Sequence, residues 1–142
     1  MKTFSCLFLV SVIASGALIF SGWNNSNLGV AGTTELEGKW VGKEHYEGWS
    51  FDFSDNQLKG TSPNPQMWYE GKFNLNPNVD PKEIDFLIEK SGIPQYTGLT
   101  SLGIYKIEEE TLTLALSEPG KNKRPSSFSE PGGAMVFILT RQ

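Results

Sequence analysis

The sequence predicts an all-β domain in which about eight short antiparallel strands close into a small up-and-down barrel. Most of the chain after Leu36 alternates apolar and polar residues, and Gly, Pro, Asn and Asp separate the alternating runs. Consecutive antiparallel strands leave two open sheet edges unless the sheet closes on itself. Because closure pairs the backbone groups of both edges, a barrel is the simplest architecture that this pattern allows.

The predicted strands follow one another at short intervals and are separated by turn residues. The stretch from Trp49 to Phe53 alternates three aromatic residues with two polar ones, and Ser54-Asp55-Asn56 then turns the chain. Glu109-Glu110 forms the turn of a later hairpin. In chain order, the predicted strands cover residues 39–46, 49–53, 57–61, 68–75, 84–89, 101–108, 111–116 and 135–140.

The segment 80–89 carries two conflicting signals. Asp80-Pro81-Lys82-Glu83 has the pattern of a helix start, with a capping Asp, Pro at the first position and Glu three residues after the cap. Ile84, Phe86 and Ile88, however, alternate with polar residues as a half-buried strand does. Because the rest of the domain is β, we predict a strand here.

The N-terminal segment 1–22 is predicted to be a signal peptide. Lys2 supplies a positive charge, the stretch from Phe4 to Phe20 is uncharged, and Ala14 and Gly16 have the spacing of a cleavage site. An uncleaved membrane anchor is the alternative, because this apolar stretch has about the minimum length that spans a bilayer. Either reading predicts an exported protein, located in the periplasm, at the cell surface or in the medium.

Residues 23–35 are rich in Asn, Gly, Ser and Thr and are predicted to form a flexible tether, with the domain in residues 36–142. Cys6 is the only cysteine and lies in the apolar segment, so a cleaved protein has no disulfide. The chain has 12 basic and 16 acidic residues without a basic run, which predicts no nucleic-acid partner. We also predict no metal and no cofactor.

An eight-stranded barrel is just wide enough to be filled by side chains or to hold one small ligand. By strand alternation, the inner face contains aromatic residues from several strands. The predicted ligand-binding residues are Trp40, Phe51, Phe53, Tyr69, Phe73 and Phe86, with Leu112 and Leu114 on the same face.

The two ends of the domain carry a family signature. Leu36-Glu37-Gly38-Lys39-Trp40 opens it and Arg141 nearly ends it. A Gly-x-Trp on the first strand with a late Arg resembles the lipocalin signature, which implies that Arg141 packs over Trp40 and closes the barrel floor. Gly38 has no side chain and lets a neighbouring group approach closely.

Further elements occur in order along the chain, among them Gly103-Ile104-Tyr105-Lys106-Ile107 and Arg124-Pro125-Ser126-Ser127-Phe128. With Asn76-Pro77 and the segment 80–85 they resemble the lipocalin-like domain of many uncharacterised planctomycete proteins. The resemblance covers nearly everything after Leu36. It implies the barrel fold and says little about function, because that family has no established activity.

Two features that point to catalysis have simpler explanations. His45 is the only histidine, and with Cys6 outside the domain it lacks the partners of a zinc site or a catalytic triad, so we predict a surface position. Glu108-Glu109-Glu110 is the densest acidic cluster, but consecutive residues of a turn seldom converge on one point. We predict that the protein is not an enzyme.

The loop 117–134 is long, and it contains Lys121, Lys123 and Arg124. Long loops in compact domains are often functional, so a lid or an anion site is one interpretation. The favoured alternative is that Arg124-Pro125 and Phe128 fasten the loop to the barrel wall. Trp68 lies on the polar face of its strand, as an aromatic residue of the surface or the mouth does.

Two functional hypotheses follow. The first is a binding module that holds a small apolar or amphipathic molecule outside the cytoplasm. The second is a structural or protein-interaction domain with a filled barrel and no ligand. The volume of any internal cavity discriminates between them, because a ligand site needs hundreds of Å³.

Overall fold

The protein, described from a computed structural model over residues 33–129 and 132–142, is an eight-stranded closed barrel. The strands are β1 (Gly38–Gly42), β2 (Ser50–Ser54), β3 (Gln57–Thr61), β4 (Trp68–Asn76), β5 (Lys82–Ser91), β6 (Thr100–Glu108), β7 (Thr111–Leu116) and β8 (Met135–Arg141). A four-residue helix, α1 (Thr33–Leu36), precedes β1, and single 3-10 turns occupy Glu44–Tyr46 and Pro94–Tyr96. No helix in these residues is long and apolar enough to cross a membrane. The predicted signal peptide, 1–22, lies outside the described residues.

Every strand pairs antiparallel with its neighbour in the chain, which is the predicted up-and-down topology. The barrel closes where β8 returns to β1, with Trp40 opposite Arg141 and Val41 opposite Thr140. This pairing removes both open edges, as the sequence pattern predicted. The ambiguous segment forms a strand from Lys82 onward: Phe86 on β5 pairs with Phe73 on β4 and with Ser101 on β6.

One predicted boundary was wrong. The first strand was expected to reach residue 46, but it ends at Gly42 and the chain turns back through the 3-10 turn. A β-carbon at Gly42 would stand 1.9 Å from the carbonyl oxygen of Tyr46, so only glycine permits this close return. The turn places the Tyr46 ring against Phe137, with ring centroids 4.8 Å apart.

The core fills one half of the barrel more completely than the other. Trp40, Phe53, Phe73 and Tyr105 all have at most 1% exposed surface and lie on the inner face, together with Leu36 from α1. Since α1 includes residues 33–35, the end of the predicted tether belongs structurally with the barrel. We call this half, which α1 covers, the closed end.

The long loop between β7 and β8 is fastened to the outer wall. Arg124 donates hydrogen bonds to the carbonyl oxygens of Ile84 (3.1 Å) and Gly103 (2.8 Å) and to the Asp85 carboxylate (2.6 Å). Pro125 beside it is buried. Farther along, the Phe128 ring lies 5.2 Å from Lys106 Nζ. These contacts match the fastening interpretation of the loop.

Candidate functional site

A cavity of about 290 Å³ occupies the end of the barrel opposite α1. Because the strands run alternately up and down, the connections 43–49, 62–67, 92–99 and 117–134 all meet at this end. We call the space between them the mouth cavity. Its lining consists of Trp49, Phe51, Met67, Tyr69, Phe86, Ile88, Ile93, Tyr96, Ser101, Leu116, Ser117, Glu118, Pro119, Gly133, Met135 and Phe137.

The side of the cavity around β1 is an aromatic wall. Phe51 on β2 and Phe137 on β8 meet edge to face, with ring centroids 5.0 Å apart. The indole of Trp49 lies 5.1 Å from the Phe137 ring and 6.1 Å from the Phe51 ring, nearly parallel to the latter. Aromatic pairs favour these separations and angles. The three rings therefore pack against one another, and we call them the first wall.

A glycine lets the Phe51 ring of this wall lie close to β3. On β3, Gly60 pairs with Phe51 on one side and with Tyr69 on the other. A β-carbon at Gly60 would stand 3.3 Å from the Phe51 ring and 3.9 Å from the Tyr69 ring. A larger residue at this position would press against the Phe51 ring and displace it.

The far side of the cavity holds two tyrosines. Tyr69 on β4 and Tyr96 in the connection from β5 to β6 have ring centroids 6.4 Å apart. Burial raises the pKa of the Tyr69 hydroxyl above its usual range, and the nearby Tyr96 hydroxyl contributes in the same direction. Tyr69 is therefore a neutral phenol at physiological pH.

The two serines of the cavity lining are hydrogen-bonded. The Ser101 hydroxyl donates to the carbonyl oxygen of Ser117 at 2.6 Å, and the Ser117 hydroxyl accepts from the backbone N–H of Leu102 at 3.1 Å. No buried side-chain nitrogen or oxygen in the described part of the chain lacks a hydrogen-bond partner. The described lining is therefore mostly carbon surface.

Among the described residues, one charged group belongs to the lining, and it is at the rim. The Glu118 carboxylate lies 2.8 Å from Lys121 Nζ. The hydrogen bond from Lys121 and its positive charge lower the pKa of Glu118, and the same contact raises the pKa of Lys121. The rim therefore carries a neutralised ion pair at physiological pH.

The structure divides the predicted ligand-binding residues between the two ends of the barrel. Phe51, Tyr69 and Phe86 line the mouth cavity. The other three, Trp40, Phe53 and Phe73, do not line it and pack into the core of the closed end, where the Phe53 and Phe73 rings meet edge to face at 5.2 Å. All six side chains are on the inner face, but they lie at different heights along the barrel axis.

Several lining residues were missed by the sequence analysis. By alternation Trp49 shares a face with Phe51 but was not included among the predicted binding residues; Met67, Ile93 and Tyr96 come from connections, where alternation gives no direction for a side chain. The available signal was their position: each falls in a connection, or at a strand end, on the same side of the up-and-down chain path. Phe137 was missed because residues 135–140 are apolar on both faces of the strand.

At the closed end, the residues of the predicted barrel floor come together. The Arg141 guanidinium lies 4.2 Å from the centre of the Trp40 ring and donates to the carbonyl oxygens of Glu37 (2.6 Å) and Glu35 (3.2 Å). Gly38 adopts φ +112°, and a β-carbon there would be 3.4 Å from Arg141 Nη1. Glycine at this position thus satisfies both the backbone conformation and the approach of the guanidinium.

A polar cluster also lies at this end. Tyr105 donates to the Glu35 carboxylate at 3.4 Å, and Lys82 forms an ion pair with the same carboxylate. Burial, together with the negative charge of Glu35 and this hydrogen bond, raises the pKa of Tyr105 far above its usual range. The cluster fastens α1 to β5 and β6.

The remaining candidate residues lie outside the mouth cavity. His45 is exposed in the 3-10 turn, and Glu108, Glu109 and Glu110 are exposed at the turn between β6 and β7. Trp68 is half-buried on the outer side of β4 and does not line the mouth cavity. In the described ranges, no three His, Cys, Asp or Glu side chains are close enough to hold a metal ion.

Comparisons of the sequence with protein-family models and with curated proteins, and of the fold with solved structures, found no match.

Proposed function

We propose that this chain is an exported, lipocalin-like domain that holds a small apolar or amphipathic molecule in the mouth cavity. The observation that carries the proposal is a cavity of about 290 Å³ at the end of a barrel whose other end is filled. Pockets that bind small molecules have volumes of roughly 300 Å³ and above, so this cavity is at the lower limit of that range.

The chemistry of the lining supports an apolar ligand. Twelve of the sixteen described lining residues are apolar or aromatic, and the side chains of Ser101, Ser117 and Glu118 already have partners. Water in such a space finds few hydrogen-bond partners, and its replacement by an apolar group is favourable. The proposal is therefore one of binding rather than catalysis.

The alternative function is a structural or protein-interaction domain without a ligand. The packing of Trp40, Phe53, Phe73 and Tyr105 favours it, because these side chains fill the closed half as a core does. The two functions make different predictions for the mouth cavity: a binding domain retains a molecule there, whereas a purely structural domain tolerates filling of the space with no loss of function.

Export is the second part of the proposal and depends on the sequence of residues 1–22 alone. We expect the mature protein to begin at or shortly after Ala17 and to be soluble outside the cytoplasm. N-terminal sequencing of the protein from the exported fraction tests this expectation. Recovery of the full-length chain from the membrane fraction would instead identify the segment as an anchor.

Native mass spectrometry of the protein purified from its own host tests the binding function. We expect an added mass that is lost in Ile93→Trp, which fills the mouth cavity, and retained in Val79→Trp. Val79 is the matched control because it is exposed in the connection between β4 and β5, at the opposite end of the barrel. Absence of any added mass, together with failure to bind the neutral dye N-phenyl-1-naphthylamine, would contradict the proposal and favour the structural alternative.

A further inference from the structure

The lining of the mouth cavity is rich in aromatic side chains and poor in unpaired charge. Six of its sixteen residues are aromatic: Trp49, Phe51, Tyr69, Phe86, Tyr96 and Phe137. We infer that the cavity selects a neutral, planar aromatic molecule of one or two fused rings over a flexible alkyl chain of equal size. This inference rests on the proposed function and adds the chemical class of the ligand.

The aromatic side chains belong to two opposite sides of the barrel. The first wall, Trp49, Phe51 and Phe137, surrounds β1, because β2 and β8 are the two neighbours of that strand. Tyr69 and Phe86 project from β4 and β5. In a closed barrel of eight strands, β5 is four strands away from β1 in either direction. The cavity therefore separates two aromatic surfaces that face each other.

A flat ring fits a space between two aromatic surfaces better than a flexible chain does. Ring centroids that are about 4.5–7 Å apart, offset-stacked or edge to face, give aromatic pairs an attraction beyond the burial of area. A planar ligand gains this attraction on both sides, whereas an alkyl chain gains only burial and also loses conformational freedom when it is ordered. Phe51 and Tyr69, whose strands both pair with β3, line the cavity in which such a ring would lie.

The volume of the cavity and the methionine residues in its lining agree with a small aromatic ligand. A water molecule occupies about 30 Å³ in the liquid, so the cavity holds a ligand on the order of ten non-hydrogen atoms. Met67 and Met135 also line the space, and thioether sulfur atoms contact the edges of aromatic rings favourably. Two methionines let the lining adapt to rings with different substituents.

The charges at the rim favour a neutral ligand. Glu118 is the only ionised group among the described lining residues, and it already forms an ion pair with Lys121. A charged ligand group in the cavity would lose its hydration without gaining an unpaired counterion. An aromatic cage also attracts organic cations, so a cationic probe belongs in the test.

Isothermal titration calorimetry with three probes tests the inference on the full chain. The probes are 2-naphthol, 1-decanol and 2-naphthylmethylammonium; the first two are neutral and contain the same numbers of carbon and oxygen atoms. We expect 2-naphthol to bind about tenfold more tightly than 1-decanol and than the cation, which corresponds to about 1.4 kcal/mol.

Each alternative outcome has a definite meaning. Equal affinities for naphthol and decanol would overturn the inference and leave the proposed apolar binding function intact. If the cation binds most tightly, the cavity selects an organic cation, and the inference that the ligand is neutral is wrong. Failure of all three probes to bind would contradict the proposed function itself.

Leucine substitutions locate the selectivity in the cavity. Tyr69→Leu and Phe86→Leu are expected to weaken naphthol binding by about two- to tenfold each, which is the worth of one aromatic contact, and to leave decanol binding nearly unchanged. Retained decanol binding also shows that each variant folds. Trp68→Leu is the matched control, because Trp68 is aromatic but lies outside the mouth cavity. An equal loss in this control would contradict the inference.

Discussion

The two ends of the barrel contain the same kinds of side chain and differ in what covers them. At the closed end, the Trp40 indole has no exposed surface, donates to the carbonyl oxygen of Leu36 at 2.8 Å and lies beneath the Arg141 guanidinium. At the mouth, Trp49 is half-buried, packs against Phe51 and Phe137 and lines the cavity. The helix α1 and the last strand cover the first tryptophan, whereas the connections at the mouth leave space beside the second.

The comparison shows that inward-facing aromatic side chains form a packed core at the end of the barrel that other residues cover. At the end that is not covered in this way, the same kind of side chain lines a cavity. A core tryptophan has neighbours all round and leaves an empty space when it is removed. A tryptophan beside an existing cavity has fewer neighbours to lose. Four predictions, ordered from the largest expected effect to the smallest, test this contrast.

The largest effect is expected for Trp40→Ala, at about 3–5 kcal/mol of unfolding free energy, the range for truncation of a large buried aromatic residue. Trp49→Ala should cost only about 1–2 kcal/mol, because its side chain is already partly exposed. Urea denaturation of the two variants provides the measurement. Equal costs would mean that the two ends are packed alike.

Arg141→Ala is expected to cost about 1–2 kcal/mol, because two hydrogen bonds to backbone carbonyl oxygens are lost at a partly exposed site. The guanidinium lies over the Trp40 ring, so the two residues should also couple by about 0.5–2 kcal/mol. A double-mutant cycle with Trp40→Ala measures this coupling. Strict additivity would show that the floor contact contributes nothing beyond its two separate residues.

Part of the pH dependence of the unfolding free energy is expected to come from Tyr105, at the closed end of the barrel. The folded protein keeps Tyr105 protonated while the unfolded chain ionises near pH 10, so the contribution of Tyr105 is complete below pH 10 and decreases as pH rises. The slope is at most about 1.4 kcal/mol per pH unit for one group. Urea unfolding between about pH 9 and 11 should show a shallower decrease for Tyr105→Phe.

Tyr69→Phe at the mouth is the second test variant of the pH series. The pKa of Tyr69 is also raised, so this variant should reduce the same decrease of stability with pH. The double variant, with Tyr105→Phe, should be the flattest of the series. If neither single variant alters the slope, the loss of stability at high pH has another origin.

His45→Ala is expected to change stability by less than about 0.5 kcal/mol, as surface substitutions away from special features do. His45 is exposed in the 3-10 turn, and it does not line the mouth cavity. The same variant should keep its affinity for an apolar probe in calorimetry. A loss of binding would show that the turn 44–46 influences the cavity more than its position indicates.

Alternation and turn residues were enough to predict the fold class, the order of the strands and the inner face of most of them. Alternation assigns a residue to the inside or the outside of a sheet, because successive side chains point to opposite faces. It correctly identified 84–89 as a strand against a helix-start signal, because Ile84, Phe86 and Ile88 share one face. It was wrong for residues 43–46, where the close approach of Tyr46 to Gly42 ends the strand.

Which aromatic residues fill the core and which line the cavity depends on the three-dimensional packing of the barrel. Trp40 and Phe51 both point inward and pair directly across β1 and β2, yet one lies at the closed end and the other at the mouth. Alternation does not encode the height of a side chain along the barrel axis, which depends on strand tilt and stagger. The partners that close one end, α1 and Arg141, are supplied by the two termini of the domain, and their meeting is a long-range contact that no local pattern specifies.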